Sequence, residues 1–150
     1  MHLRGRYLLL GWALLVALVI AGVPLLLQDQ LPDRIAVSWE SSGAAEESST
    51  LRDYLLRELT WWLLIVLAWS WLAHRGIPRR DPWKWAGAVL GAFGAVLAGN
   101  VLCTLVANVD VDDYRDVEQF GGAGWVLLVA LVLGWLGWRR AGPAPDGGTA

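Results

Sequence analysis

The chain has 150 residues, 56% of them hydrophobic and 17% charged, with a formal net charge of −2 and one cysteine. A lone cysteine excludes an intramolecular disulfide. The apolar residues fall in blocks (Tyr7 to Leu27, Leu59 to Ala73, Trp85 to Val109, Gly121 to Trp138) with nearly all charges between them, which excludes a soluble domain built on one core and points to membrane spans.

The first block follows Arg4 and Arg6 and resembles a signal peptide at first sight. At 21 residues it is too long for a typical apolar signal core, and Pro24-Leu25-Leu26-Leu27 offers no small-residue cleavage site. It therefore reads as a retained helix over about 7–27, with Ala13, Ala17 and Ala21 forming a small-residue stripe.

An outer loop over 28–54 follows. Leu31-Pro32-Asp33-Arg34 reads as an extended turn, because proline fixes its own φ and disfavours helix in the residue before it. Ile35, Val37 and Trp39 then alternate with Ala36, Ser38 and Glu40, the period of a short strand with one apolar face set on the end of the bundle. Ser41 to Ser49 is small and acidic and reads as a mobile linker. Thr50 with Asp53 forms a capping pair, predicting a helix that starts there and runs through Arg57 and Glu58 into a second span over about 55–74. A brief basic connector, His74 to Lys84, contains Pro78 and Pro82 and suits a tight antiparallel link beside anionic lipid headgroups.

The third span, about 84–109, includes 25 residues without a charge, more than the roughly 20 needed to cross about 30 Å of hydrocarbon. Gly87, Gly91, Ala95 and Gly99 recur every fourth position, so one side of this helix is nearly bare backbone and suits close helix packing. The Ala13 stripe of the first helix is its expected partner. Asn100, Thr104 and Asn108 follow the same spacing and predict a polar stripe that needs partners where no bulk water reaches. Those partners are neighbouring helices, at about 0.6 to 2 kcal/mol per bond, or the walls of a small polar cavity beneath the Trp39 loop.

A second outer loop from Asp110 to Gln119 carries Asp110, Asp112, Asp113, Asp116 and Glu118. It fails the calcium-loop pattern, since Arg115 stands where that pattern requires glycine, and a solvated acidic loop is the plainer reading. The last span covers about 121–138, and the Gly/Pro-rich residues 141–150 read as a disordered tail.

Charge sidedness orients the spans. Eight of the twelve basic residues (Arg4, Arg6, Arg75, Arg79, Arg80, Lys84, Arg139 and Arg140) fall on one side, whereas the loops on the other side are acidic. By the positive-inside rule both termini are cytoplasmic. Trp61, Trp62 and Trp125 are expected at the outer boundary and Trp83, Trp85, Trp135 and Trp138 at the inner one. The expected architecture is an all-α integral membrane bundle of four transmembrane helices, a single domain over 1–140 with a small, partly ordered extracytoplasmic cap.

Chemistry-bearing patterns are sparse. No charge lies deep in a span, which weighs against a proton relay or coupled transporter. His2 and His74 have no Cys or His at ligand spacing, so no metal is expected and no cofactor is implied. No metalloprotease pair, serine elbow, phosphate-cradling loop or intramembrane aspartate pair is present, and Ser38 has no base on its own side of the membrane. Catalysis is not expected, nor is nucleic-acid binding, because the basic residues are few and juxtamembrane.

The run Leu31-Pro32-Asp33-Arg34-Ile35-Ala36-Val37-Ser38-Trp39, followed by Gly43, resembles the domain of unknown function that follows the first membrane helix in SdpI-type bacterial immunity proteins. Leu31, Pro32, Ile35, Trp39 and Gly43 match the family pattern; Ala36 replaces its second proline and Ser38 its histidine. The resemblance covers about 45 residues. It implies a bacterial plasma-membrane protein whose loop lies just outside the first span, and, for SdpI-type proteins, protection from a secreted peptide toxin and signalling of its presence.

Two expectations follow. One is a non-enzymatic membrane module that recognises a peptide or protein at its outer face, through apolar contact from Ile35, Val37 and Trp39 and acidic selection by Asp110, Asp112 and Asp113. The other is a structural or assembly subunit whose Gly87 stripe docks another membrane protein, self-association included.

Overall fold

The protein is described here by a computed structural model covering residues 3–78, 81–118 and 121–140. The expected tail lies outside the described residues, as do Arg79, Arg80 and Gln119. Four helices, α1 (Leu3–Leu26), α2 (Leu51–His74), α3 (Pro82–Asn108) and α4 (Ala123–Arg140), are each long and apolar enough to cross a membrane. This is the composition of a multi-pass membrane protein.

Local chemistry sets the helix ends. Thr50 accepts a hydrogen bond from the Asp53 amide at 3.2 Å and donates its hydroxyl to the Asp53 carboxylate at 2.8 Å, so α2 starts at Leu51, where the capping pair predicts. At the other end Gly76, at φ +69°, turns the chain back. Its N–H donates to Ala73 O at 3.2 Å and that of Ile77 to Leu72 O at 3.0 Å, the paired bonds of a Schellman cap. Pro82 opens α3, where its missing N–H costs nothing.

The helices alternate in direction. Trp12 meets Leu90 and Gln30 meets Asp110, so α1 and α3 run the same way; Tyr54 lies beside Thr104 while Trp62 packs on Gly94, so α2 runs against them. The core among α1, α2 and α3 contains Val16, Ile20, Trp62, Leu90, Val101 and Leu105. Two indoles lock it. Trp12 Nε1 donates to Leu90 O and Trp62 Nε1 to Ala13 O, each at 2.9 Å. Within hydrocarbon an indole N–H has no water to turn to, and a helix carbonyl, with a second lone pair, is an available acceptor. Of the two adjacent indoles, Trp62 is buried and Trp61 faces away from the bundle, since neighbours on a helix stand about 100° apart.

The glycine stripe of α3 has a different partner from the one expected. A Cβ on Gly91 would meet Leu133 O, one on Gly137 would meet Gly87 O, and one on Gly99 would lie 2.8 Å from both methyls of Val126. The stripe is therefore covered by α4, which brings its own Gly134 and Gly137 to the contact, and Trp85 stacks edge-on against Trp138 at 5.0 Å. The Ala13 stripe instead turns towards the core and α2, with Ala13 O taken by Trp62 and Ala13 and Ala17 packed on the core cluster. The small stripes did not pair because Gly94, one position off the α3 stripe, is what α1 and α2 press upon: a Cβ there would lie 2.9 Å from Val16 Cγ2 and 3.1 Å from Trp62 Cη2. Neither α1 nor α2 makes an extensive contact with α4, so the four helices form a three-helix core with α4 laid along the far side of α3.

Gly137→Val should detach or displace α4, since its side chain must enter the Gly87 carbonyl; a loss of about 1 to 3 kcal/mol or more is expected from overpacking. Gly11→Ala, with nothing within 4 Å of the new Cβ, should be neutral or stabilising. Thermal unfolding in detergent by fluorescence-detected gel filtration distinguishes the two.

Candidate functional site: the hairpin cap

The chain between α1 and α2 forms an antiparallel hairpin of β1 (Ile35–Trp39) and β2 (Ala45–Ser49), pairing Ile35 with Ser49 and Trp39 with Ala45. Gly43, at φ +88°, supplies the left-handed residue of the turn, which is closed by Gly43 N to Glu40 O and Glu40 N to Ala44 O, both 2.9 Å. Arg34 adds a clasp, donating Nε to Ser48 Oγ at 2.9 Å and Nη2 to Ser48 O at 3.0 Å. Residues 45–49, expected as mobile linker, are thus a strand. Their polar composition suits an edge strand whose side chains face water, and the pairing comes from backbone groups that composition does not report.

Strict alternation in β1 also gives way. The register shifts between Ala36 and Ser38 and again before Trp39, and both Ile35 and Ala36 are fully buried. The reason lies in α3. Asn108 Oδ1 accepts from Ala36 N at 2.7 Å, and Asn108 Nδ2 donates to Ala36 O at 3.0 Å and to Thr104 O at 2.8 Å. One side-chain amide thus pairs with both backbone groups of one strand residue, as a neighbouring strand would, inside a site closed to solvent.

The predicted polar stripe is accordingly divided. Thr104 and Asn108 are buried, but Asn100, one turn before Thr104, is exposed on the helix surface. The Tyr54 hydroxyl, also buried, lies beside Thr104 without a hydrogen bond of full geometry. Glu58, one turn along α2, is 6% exposed and its carboxylate is 3.3 Å from Arg57 Nε; the Arg57 guanidinium also sits 5.3 Å from the Tyr54 ring centre. Sequence reading passed over Tyr54 and Glu58 because both sit in the amphipathic first turns of α2, where polar residues are ordinary. The stripe Asn100, Thr104 and Asn108, in an otherwise apolar helix, signalled a need for partners, and in Thr104 and Asn108 it is buried.

The acidic loop is fastened to the same structure. Asp110, in the left-handed region at φ 60°, donates its N–H to Gln30 O at 3.1 Å, joining the end of α3 to the end of α1. Asp113 Oδ1 accepts from Arg115 N at 3.0 Å and caps a single 3-10 turn, Tyr114–Asp116, that packs against both strands; Val117 is buried beneath it. Tyr114 first, then the Asp113 carboxylate, raise the already high pKa of the exposed Arg115, so it remains cationic among the acids.

The structure places the expected contact residues unequally. Ile35 belongs to the core cluster, Val37 is half-buried against it, and Trp39 is half-buried with its Nε1 enclosed and without a hydrogen-bond partner among the described residues. Asp110, Asp112 and Asp113 remain exposed, as do Glu40, Glu46, Glu47, Asp116 and Glu118. Among the described residues no three His, Cys, Asp or Glu side chains converge on a point that would hold a metal ion. This end of the bundle is therefore a folded acidic cap with a half-exposed indole. Compared with protein-family models, curated proteins and solved structures, the chain matches none of them.

Replacing Asn108 by Leu leaves both backbone groups of Ala36 buried and unpaired, and should cost about 2 to 5 kcal/mol. The loss should be local first. Limited proteolysis should cut the Ser41–Ala44 turn faster in the variant before the helices unfold, and amide exchange at Ala36 should lose its protection.

Proposed function

We propose that the protein is a non-enzymatic bacterial plasma-membrane protein that recognises a basic peptide or protein at its outer face, as an immunity or signalling module similar to the SdpI type. In this reading both termini are cytoplasmic, with Arg75, Lys84, Arg139 and Arg140 at the inner end and the cap outside. The observation that carries it is the cap's construction: an acidic loop and a hairpin, tied together through Asn108 and Asp110, present carboxylates on an ordered support. Pre-ordered charges select and steer an oppositely charged partner without the entropic cost of ordering the loop on binding. Val37 and Trp39 offer apolar contact beside them, while Ile35, enclosed in the core, acts by holding the hairpin down. The alternative of a structural or assembly subunit draws no support from the Gly87 stripe, which α4 already covers.

Orientation is tested by cysteine labelling. In a Cys103→Ala background, Ser42→Cys should react with a membrane-impermeant maleimide in intact cells, and a cysteine at Gly76 should react only after permeabilisation. Recognition is tested by challenging deletion cells with secreted cationic peptides. Complementation by the wild type should restore resistance and the Asp112→Asn/Asp113→Asn variant should not; in purified protein each neutralised carboxylate should weaken peptide binding roughly two- to five-fold at low salt, less at high salt. Trp39→Ala should weaken it about ten-fold or more. Unchanged resistance and binding in all these variants would remove the reading.

A further inference from the structure

Because α4 packs extensively on α3 and not on α1, a furrow runs between α1 and α4 with the small residues of α3 as its floor. It contains two adjoining cavities of about 260 and 410 Å³, and Trp12 and Leu133 line both. The walls are apolar along their length, except that the end nearer the helix termini is lined by Arg140. Arg140 is exposed and, unlike Arg139, which lies 4.7 Å from the centre of the Trp135 ring, it has no ion-pair or ring partner among the described residues.

We propose that this furrow is a specific site for one anionic phospholipid, its phosphate on Arg140 and an acyl chain laid between α1 and α4 past Leu133. Size separates this occupant from a helix. A 20-residue helix about 10 Å across displaces on the order of 2,000 Å³, well beyond the two cavities, whereas a flexible hydrocarbon chain follows a furrow of this section. Position agrees as well. From Arg140 to Leu133 is about 10 Å of helix rise, inside the roughly 15 Å depth of one leaflet, so the chain reaches the junction of the cavities with the headgroup at the interface. Charge supplies the selectivity, because a cation at a furrow mouth favours an anionic headgroup over a zwitterionic one.

The test uses the full chain reconstituted in nanodiscs of phosphatidylglycerol and phosphatidylcholine in equal amounts, extracted into mild detergent and weighed by native mass spectrometry. The wild type should retain a single phosphatidylglycerol in preference to phosphatidylcholine. Arg140→Gln, at an exposed helix end where folding is not at stake, should lower that retention roughly five-fold, and Arg140→Lys should largely restore it. Leu133→Trp, which narrows the junction of the two cavities, should displace the lipid while Arg140 remains. Equal retention of both lipids by the wild type, or retention indifferent to Arg140→Gln, would overturn the proposal. So would a dimer, or a co-purifying membrane protein, that occupies the chain to the exclusion of lipid.

Discussion

Asn108 decides how the two halves of this protein meet. A helix that leaves the membrane ends with unsatisfied carbonyls, and a strand that lies on the end of a bundle buries peptide groups that the bundle's apolar side chains cannot satisfy. The Asn108 amide resolves the second of these, taking the Ala36 N–H and donating to Ala36 O, while its other N–H is held by Thr104 O one turn back in α3. Around that junction everything in the cap takes its place. Ile35 drops into the core, β1 is forced out of simple alternation, and β2 and the Tyr114–Asp116 turn pack where the first strand puts them.

The membrane half follows a different logic. With no hydrophobic drive between helices in lipid, contact depends on how near the backbones can come and on where polar hydrogens find acceptors. The protein uses both means in separate places. The α1–α2–α3 core is joined by bulky side chains and two indole–carbonyl bonds, whereas α3 and α4 meet through glycines, backbone against backbone.

Much of this was legible in the sequence. Charge-free runs gave the four helices, the Thr50–Asp53 pair gave the start of α2, and the spacing at Ile35–Trp39 gave a strand. Pairing was not legible. A stripe such as Gly87–Gly91–Ala95–Gly99 announces a close neighbour but carries no address, and the choice between Ala13 in α1 and Gly134 in α4 depended on Gly94, whose place against Trp12 and Trp62 needs three helices at once. The polar strand 45–49 was invisible for a similar reason, since its stabilisation lies in main-chain bonds and in the Arg34 clasp. Likewise Asn100 and Asn108 look alike in register, and only the hairpin above the second separates them.

The two indole bonds also act as teeth. Each donates to one carbonyl of the next helix, so a slide of α1 along α2 or α3 by a single residue, about 1.5 Å, carries both hydrogens off their acceptors into hydrocarbon. The contact of α4 with α3 has no such tooth among the described residues: it is a smooth glycine track with no side-chain hydrogen bond across it. Translation parallel to the membrane normal is therefore suppressed in three helices and resisted in the fourth by shape and by the edge-on Trp85–Trp138 contact. In mechanical terms the molecule is a latched frame carrying one rail, and piston-like displacement is confined to α4.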